Sequence, residues 1–541
     1  MSLEEKVGQL FVIDVSSYSL TSGEKQKIKD FRPGGIMYFG SNLKDPEQIA
    51  EFSNQLQEAA AEKNKTKRIP LLIATDQEPG ADVVRAPGTQ LPSNMALGAS
   101  SESISDVETA AHITGSELRA MGINQNFAPV VDVNTNPKNP VIGTRSFGDD
   151  PDQVSALASK QVAVFQGEEN TIATAKHFPG HGDTSTDSHT NLPVIDRSRE
   201  DLEKNDLPPF RAAIDAGVGV IMTAHIAVPS IDPTRAPATL SKPIISGLLR
   251  GELGFDGVVV TDALNMAGVQ SQDPKKSVVV SALEAGVDQL LMPPSLQAAR
   301  DSIIDAVHSG ELSEERINQS VRRILKLKDR FNLFNSAPVD PAVAAQKVMT
   351  PENAEKAKEV SDRTITLLKN ENDALPLNSK VKNVLVTGMD EDVNDDFAKS
   401  LEGQGVSVTV SGTRANPDAN AIEKVVALAK SQDAVVALPG RLSHGDESAG
   451  QFELISQLQA TGKPLIIAGV FTPYDAAYIA DTPELLLTYS WARVSLDSLA
   501  KVIVGATRPT GTLPINIPSS VGPTTKAFSR GAGITYPATR G

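Results

Sequence analysis

The segment from Lys176 to His189, KHFPGHGDTSTDSH, gathers groups that can move protons. Four of the chain's seven histidines, His177, His181, His189 and His225, lie between residues 177 and 225. Imidazole titrates close to neutrality, so it can both release and accept a proton there. Asp187 stands two residues before His189. A carboxylate so placed can hold one ring nitrogen and raise the ring's basicity, leaving the other nitrogen for a leaving oxygen. Pro179 and the glycines at 180 and 182 interrupt any helix, so the segment is a loop, and Ser188 reads as a spacer within it.

Asp262 closes the apolar run in GVVVTDALNM, as Asp76 does in LLIATDQE and Asp132 in APVVDV. An acid at a strand end stands at the rim of the sheet. Beside Lys176 and Arg145, Asp262 stays ionised and able to attack an electrophilic carbon. Asp76, Arg85, Arg145, Lys176 and His177 suit the hydroxyls of a sugar ring. Cleavage of a glycosidic bond with retention needs a nucleophile on one side and a proton donor on the other, and Asp262 and His189 fit those roles. Plainer assignments compete. Strand-end acids also cap helices, and His177 and His181 also fit a hydrogen-bonded core. His177, His181, Asp183, Asp187 and His189 form a His/Asp group, but His177 and His181 are not on a helix and lose the facing geometry of metal ligands. No metal and no cofactor is expected.

The positioning elements are eight apolar runs in the first 335 residues. They are LFVIDV from Leu10, GIMYF from Gly35, PLLIATD to Asp76, NQNFAPVVDV to Val133, IATAKHF to Phe178, VGVIMTAHI to Ile226, FDGVVVTDA to Ala263 and DQLLMP to Pro293. They are apolar without clean alternation, as parallel strands covered on both faces are. Helical patterns separate them, at Ala50 to Ala61, Ser105 to Met121, Pro151 to Gln166, Arg199 to Ala216, Ser277 to Ala285 and Leu296 to His308. Gly217, Gly286 and Gly310 stand where three of them stop. Eight such units predict an α/β fold with a (β/α)8 barrel over residues 1–335, whose active face lies at the C-terminal strand ends. A doubly wound open sheet is the other architecture that this alternation permits. A long helix, Leu312 to Phe331, closes the barrel. Residues 336–380 read as a surface linker with a helix from Pro351 to about Thr366. Residues 381–541 read as a smaller αβα sandwich of about five strands.

The 541 residues carry 51 Lys plus Arg against 67 Asp plus Glu, a formal charge of −16. That sign argues against nucleic acid or an anionic membrane as partner. With no cysteine, disulfides, thiolate metal sites and thiol catalysis are excluded. No run approaches the length of a membrane helix. The start, MSLEEKVGQLF, lacks a leader, so a cytoplasmic protein is expected, or a secreted one if a leader precedes this sequence. Oligomeric state is not legible.

At these residues the sequence resembles glycoside hydrolase family 3, in its β-N-acetylglucosaminidase branch. KHFPGHGDTSTDSH is similar to that branch's signature. The stretches DQE…VVR, APVVDVNTNPKNPVIGTRSFG, MTAHI and VVVTDALNM resemble further blocks in the same order. The resemblance implies Asp262 as nucleophile, His189 as acid/base and Asp187 as its dyad partner. It implies that Asp76, Arg145, Lys176 and His177 hold the sugar, with Arg85 and Met222 lining the same subsite. The substrate it implies is an oligosaccharide or small glycoside ending in β-linked N-acetylglucosamine. Family members commonly read DQEGG before V-x-R, whereas this chain reads DQEPGADVVR, with Pro79 and one extra residue before Arg85. Three rival readings are a β-glucosidase, a phosphorylase in which phosphate replaces water, and a catalytically dead sugar-binding barrel.

Overall fold

The computed structural model describes residues 1–61, 69–80, 83, 86–270, 277–443, 446–519 and 522–536. Its first sheet has eight strands: β1 (Phe11–Asp14), β2 (Gly35–Tyr38), β3 (Leu72–Thr75), β4 (Gln125–Asn126), β5 (Ile172–Phe178), β6 (Val220–Thr223), β7 (Val258–Thr261) and β8 (Leu290–Leu291). The spatial order is β7-β6-β5-β4-β3-β2-β1-β8, and a bridge from Val260 to Gln289 joins the two ends into a barrel. Pairing is parallel, with Val12 opposite Gly35 and Val220 opposite Val258. β2, β3, β5, β6 and β7 are buried along their whole length, which explains apolar runs that do not alternate.

The fourth run departs from expectation. It is expected as one strand to Val133, but the structure keeps β4 and a separate bridge from Val130 to Lys176. Pro129 stands between them and has no amide hydrogen for the ladder. The helical stretch expected from Arg199 to Ala216 forms two helices, Arg199–Asn205 and Pro208–Asp215. Pro208 starts the second because a proline is tolerated in a first turn and not inside a helix. Gly286 and Gly310 are left-handed helix stops, at φ 118° and 84°.

The stretch expected as a linker holds more than a helix. After Pro351–Asp362 comes β9 (Thr366–Asn370), whose first three residues are buried. It pairs antiparallel with β14 (Glu484–Leu487) at the edge of the second sheet. That sheet also contains β10 (Asn383–Gly388), β11 (Ser407–Val410), β12 (Ala434–Leu438) and β13 (Leu465–Gly469) in the order β11-β10-β12-β13-β14-β9. Each face packs its own apolar cluster under helices.

A short barrel helix, Asn94–Ala99, enters one of those clusters. Its Met95, Ala96 and Ala99 are fully buried together with Leu385, Ile467 and Tyr489 of the second domain. Ser93, at its N-cap, donates to the Tyr489 carbonyl at 2.7 Å. A Cβ on Gly98 would stand 1.9 Å from the Phe147 carbonyl, so only glycine fits there. Among the described residues no helix is long and apolar enough to cross a membrane.

Candidate active site

The C-terminal strand ends and the loops after them line a cleft of about 1260 Å³. Asp76, Arg145, Lys176, His177, Asp187, His189, Met222 and Asp262 all border it, so the structure brings the expected residues together. Arg85 lies outside the described residues.

The floor is an ionic network. Lys176, 2% exposed at the end of β5, donates to Asp76 at 2.8 Å and pairs with Glu78 at 2.7 Å. Arg145 clamps Glu78 through Nε and Nη2, both at 2.8 Å. Burial pushes the Glu78 carboxyl up, but Arg145 and Lys176 pull it further down, to about 2. Burial pulls the Lys176 ammonium down while Asp76 and Glu78 raise it further, so it stays charged. Glu78 escaped the sequence reading. Its signal was its place two residues after Asp76, beyond the strand end, where side-chain alternation no longer guides assignment.

Asp132 is a fully buried hub rather than a helix cap. It accepts from the His177 amide at 3.2 Å, His177 Nδ1 at 2.8 Å and the His181 amide at 2.7 Å. Burial raises its carboxyl, and the two histidines pull it below the ordinary range. His177 is thereby turned toward the cleft. The His/Asp group does not converge on one point. His177 is held by Asp132, His181 by Ser188 and Thr184, Asp183 by Arg197, and His189 by Asp187.

Asp262 follows β7, its amide donating to the Thr223 carbonyl at 3.1 Å. Burial pushes its carboxyl up; His225, His177, the Ala263 amide and Lys176 pull it below the usual carboxylate range. Arg145, expected beside Asp262, is instead engaged by Glu78. Opposite, in the loop after β5, His189 Nδ1 donates to Asp187 Oδ1 at 2.7 Å. Burial raises the Asp187 carboxyl, and its bonds from His189 outweigh that and lower it.

The second domain forms the outer wall, which the sequence did not announce. Arg441, Phe471, Tyr474 and Trp491 border the cleft. The rings of Phe471 and Trp491 lie 5.4 Å apart at 44°. Asp475 accepts from the Arg441 and Leu442 amides at 3.1 and 2.7 Å and holds Arg441 at φ 54°. Burial pushes the Asp475 carboxyl up to about 7 against those bonds. Asn134 donates to the Tyr474 hydroxyl at 2.9 Å, fixing this wall to the barrel.

The glycosyl hydrolase family 3 N-terminal domain model matches residues 2–327, and the family's C-terminal domain model matches residues 365–536. The chain is a family 3 glycoside hydrolase. Relatives place this family 3 enzyme in the β-N-acetylglucosaminidase branch. It is 32% identical to β-hexosaminidase A of Pseudoalteromonas piscicida, over 90% of this chain and 89% of that one. It is 35% identical to a β-hexosaminidase of Chromobacterium violaceum, over 52% of this chain and 77% of that one. A family 3 β-N-acetylglucosaminidase from a Paenibacillus species superposes with a TM-score of 0.87 at 37% identity, covering 95% of this chain and 99% of that one.

Proposed function

We propose that this family 3 enzyme removes terminal β-linked N-acetylglucosamine by a retaining mechanism. The observation that carries the reading is the meeting of Asp262 and the Asp187–His189 dyad on one cleft. An Asp262 carboxylate oxygen attacks the anomeric carbon. The bond from that carbon to the leaving oxygen breaks, and the leaving oxygen takes a proton from His189 Nε2. Nδ1, held by Asp187, fixes the ring's orientation and stabilises its protonated form. Water then gives a proton to Nε2 and its oxygen to the anomeric carbon, freeing Asp262 with the configuration retained. Lys176, Asp76, His177 and Arg145 bind the sugar hydroxyls and the acetamide side, and Met222 packs beneath. The wall of Phe471, Trp491 and Arg441 holds the leaving-group side.

This reading differs from a β-glucosidase in its prediction for the 2-substituent. Release of nitrophenol is compared between the N-acetyl-β-glucosaminide and the β-glucoside, with the first product's anomer followed by NMR in phosphate-free buffer. Preference for the acetamido substrate and initial release of the β-anomer support the reading. An α-anomer, or unchanged turnover by Asp262→Ala, overturns it.

A further inference from the structure

The turn that carries the dyad is rigid within itself. Thr190 and Asn191 amides both donate to the Asp187 carbonyl at 3.1 Å, and the His189 amide donates to Asp187 Oδ1 at 2.8 Å. These bonds fix how Asp187 and His189 face each other. They do not fix where the turn sits over Asp262, because every partner lies inside the turn.

The preceding stretch is tied down independently. Arg197 bridges Asp183 at 2.8 Å and Asp206 at 2.6 Å, and Asn136 donates to the Asp183 carbonyl at 3.0 Å. The turn itself reaches the barrel through Ser188. That side chain is buried, at 2% exposure, while the flanking Asp187 and His189 side chains are 38% and 61% exposed. Its Oγ lies 3.0 Å from His181 Nε2. Thr184 Oγ1 donates to the His181 carbonyl at 3.1 Å and so accepts from His181 Nδ1 at 2.9 Å. That leaves Nε2 to accept from the Ser188 hydroxyl. The assignment needs a neutral ring, and burial, aided by His177, pulls His181 down to about 4. On the opposite side the turn rests on the segment that follows the nucleophile. The Ala267 amide donates to the His189 carbonyl at 3.4 Å. A Cβ on Gly268 would stand 2.7 Å from the Ser188 carbonyl and 3.0 Å from the Asn191 carbonyl.

We propose that Ser188 is a positioning residue: its hydroxyl on His181 Nε2, with the bare backbone of Gly268 beneath, seats the acid/base turn over Asp262. Ser188 touches no substrate and acts through His189. The proposal rests on His189 being the acid/base and goes beyond that reading in naming what places it.

The test measures kcat/KM for Ser188→Ala, Gly268→Ala and His189→Ala on two N-acetyl-β-glucosaminides. One has an activated dinitrophenyl leaving group and the other an unactivated alkyl group. Only the second needs full protonation, so misplacing the acid steepens the dependence on leaving group, whereas general structural damage slows both alike. A lost neutral hydrogen bond predicts about a fivefold to tenfold fall on the alkyl substrate for Ser188→Ala, with a change under about twofold on the aryl substrate. Gly268→Ala, which otherwise favours its helix, reproduces this pattern by lifting the turn. Combining Ser188→Ala with His181→Phe, which removes the Nε2 acceptor, gives less than the product of the single effects on the alkyl substrate, and a full product overturns the contact. Equal losses on both substrates, or an unchanged alkyl rate in both Ser188→Ala and Gly268→Ala, overturns the proposal. If His189→Ala itself shows no leaving-group dependence, the acid/base reading fails instead.

Discussion

Glu78→Gln removes the anion on which Arg145 and Lys176 converge, and its consequence follows from the geometry. In the folded protein the carboxyl lies near 2 against an ordinary 4.5. That difference corresponds to roughly 3 kcal/mol, at about 1.36 kcal/mol per tenfold change in the protonation equilibrium. Removing one partner of a buried ion pair costs about 3–5 kcal/mol, which agrees. The substitution leaves Lys176 paired with Asp76 and takes the carboxylate clamp off Arg145, so KM for the acetamido substrate rises as well. The folded carboxyl is depressed, so its stabilisation is full above about pH 4.5 and is lost as pH falls through about 2. Thermal unfolding followed by circular dichroism is compared for the two proteins across this range. The expected result is a Tm lower by about 5 °C near neutrality for a domain of this size. The gap narrows as the native protein's own carboxyl becomes protonated. A variant whose Tm near neutrality matches the native protein would refute the claim that the network is held together by this charge.

Lys328 gives a second pH effect of the same sign, in a more alkaline window. Its Nζ is fully buried on the Gln9 side-chain oxygen at 2.8 Å, and burial pulls its ammonium down to about 7. The unfolded chain therefore holds more protons between about pH 7 and 10.5, and stability rises with pH across that window. Lys328→Met flattens the rise, as a denaturation series on both proteins will show. For Trp491→Ala, loss of a stacking face predicts about a threefold to tenfold higher KM for a disaccharide, with a smaller change for a small aryl glycoside. An equal change for both would mean that Trp491 does not act on the leaving-group side. His189→Ala should lower turnover of unactivated substrates by about 10²–10⁴-fold, the usual weight of general acid catalysis.

The barrel was legible because its strands are buried on both faces and its helices end on left-handed glycines, both of which are local patterns. Asp262, Asp132 and Lys176 were legible because strand ends have a known destination in such a fold. What stayed hidden depended on contacts distant in sequence. Ser188 looked like a spacer, since nothing in DSH shows that its hydroxyl meets a histidine seven residues earlier. Phe471 and Trp491 are ordinary aromatics until the second sheet is folded against the barrel. β9 hid inside an apparent linker because five residues at a sheet edge carry little pattern of their own. Pro129 was visible inside the fourth run, but that it would cut the strand into β4 and a lone bridge at Val130 was not.

The helix Asn94–Ala99 has a consequence for how the chain is made. It belongs to the barrel by sequence, yet Met95 and Ala96 find their cover only against Leu385, Ile467 and Tyr489. At about 5–20 residues per second, a ribosome delivers that cover tens of seconds after the helix itself. Throughout the interval the nascent barrel displays an oily wedge to the surrounding water. Completion of the second sheet is the event that extinguishes it, so maturation of the cleft waits for nearly the last part of the chain to emerge.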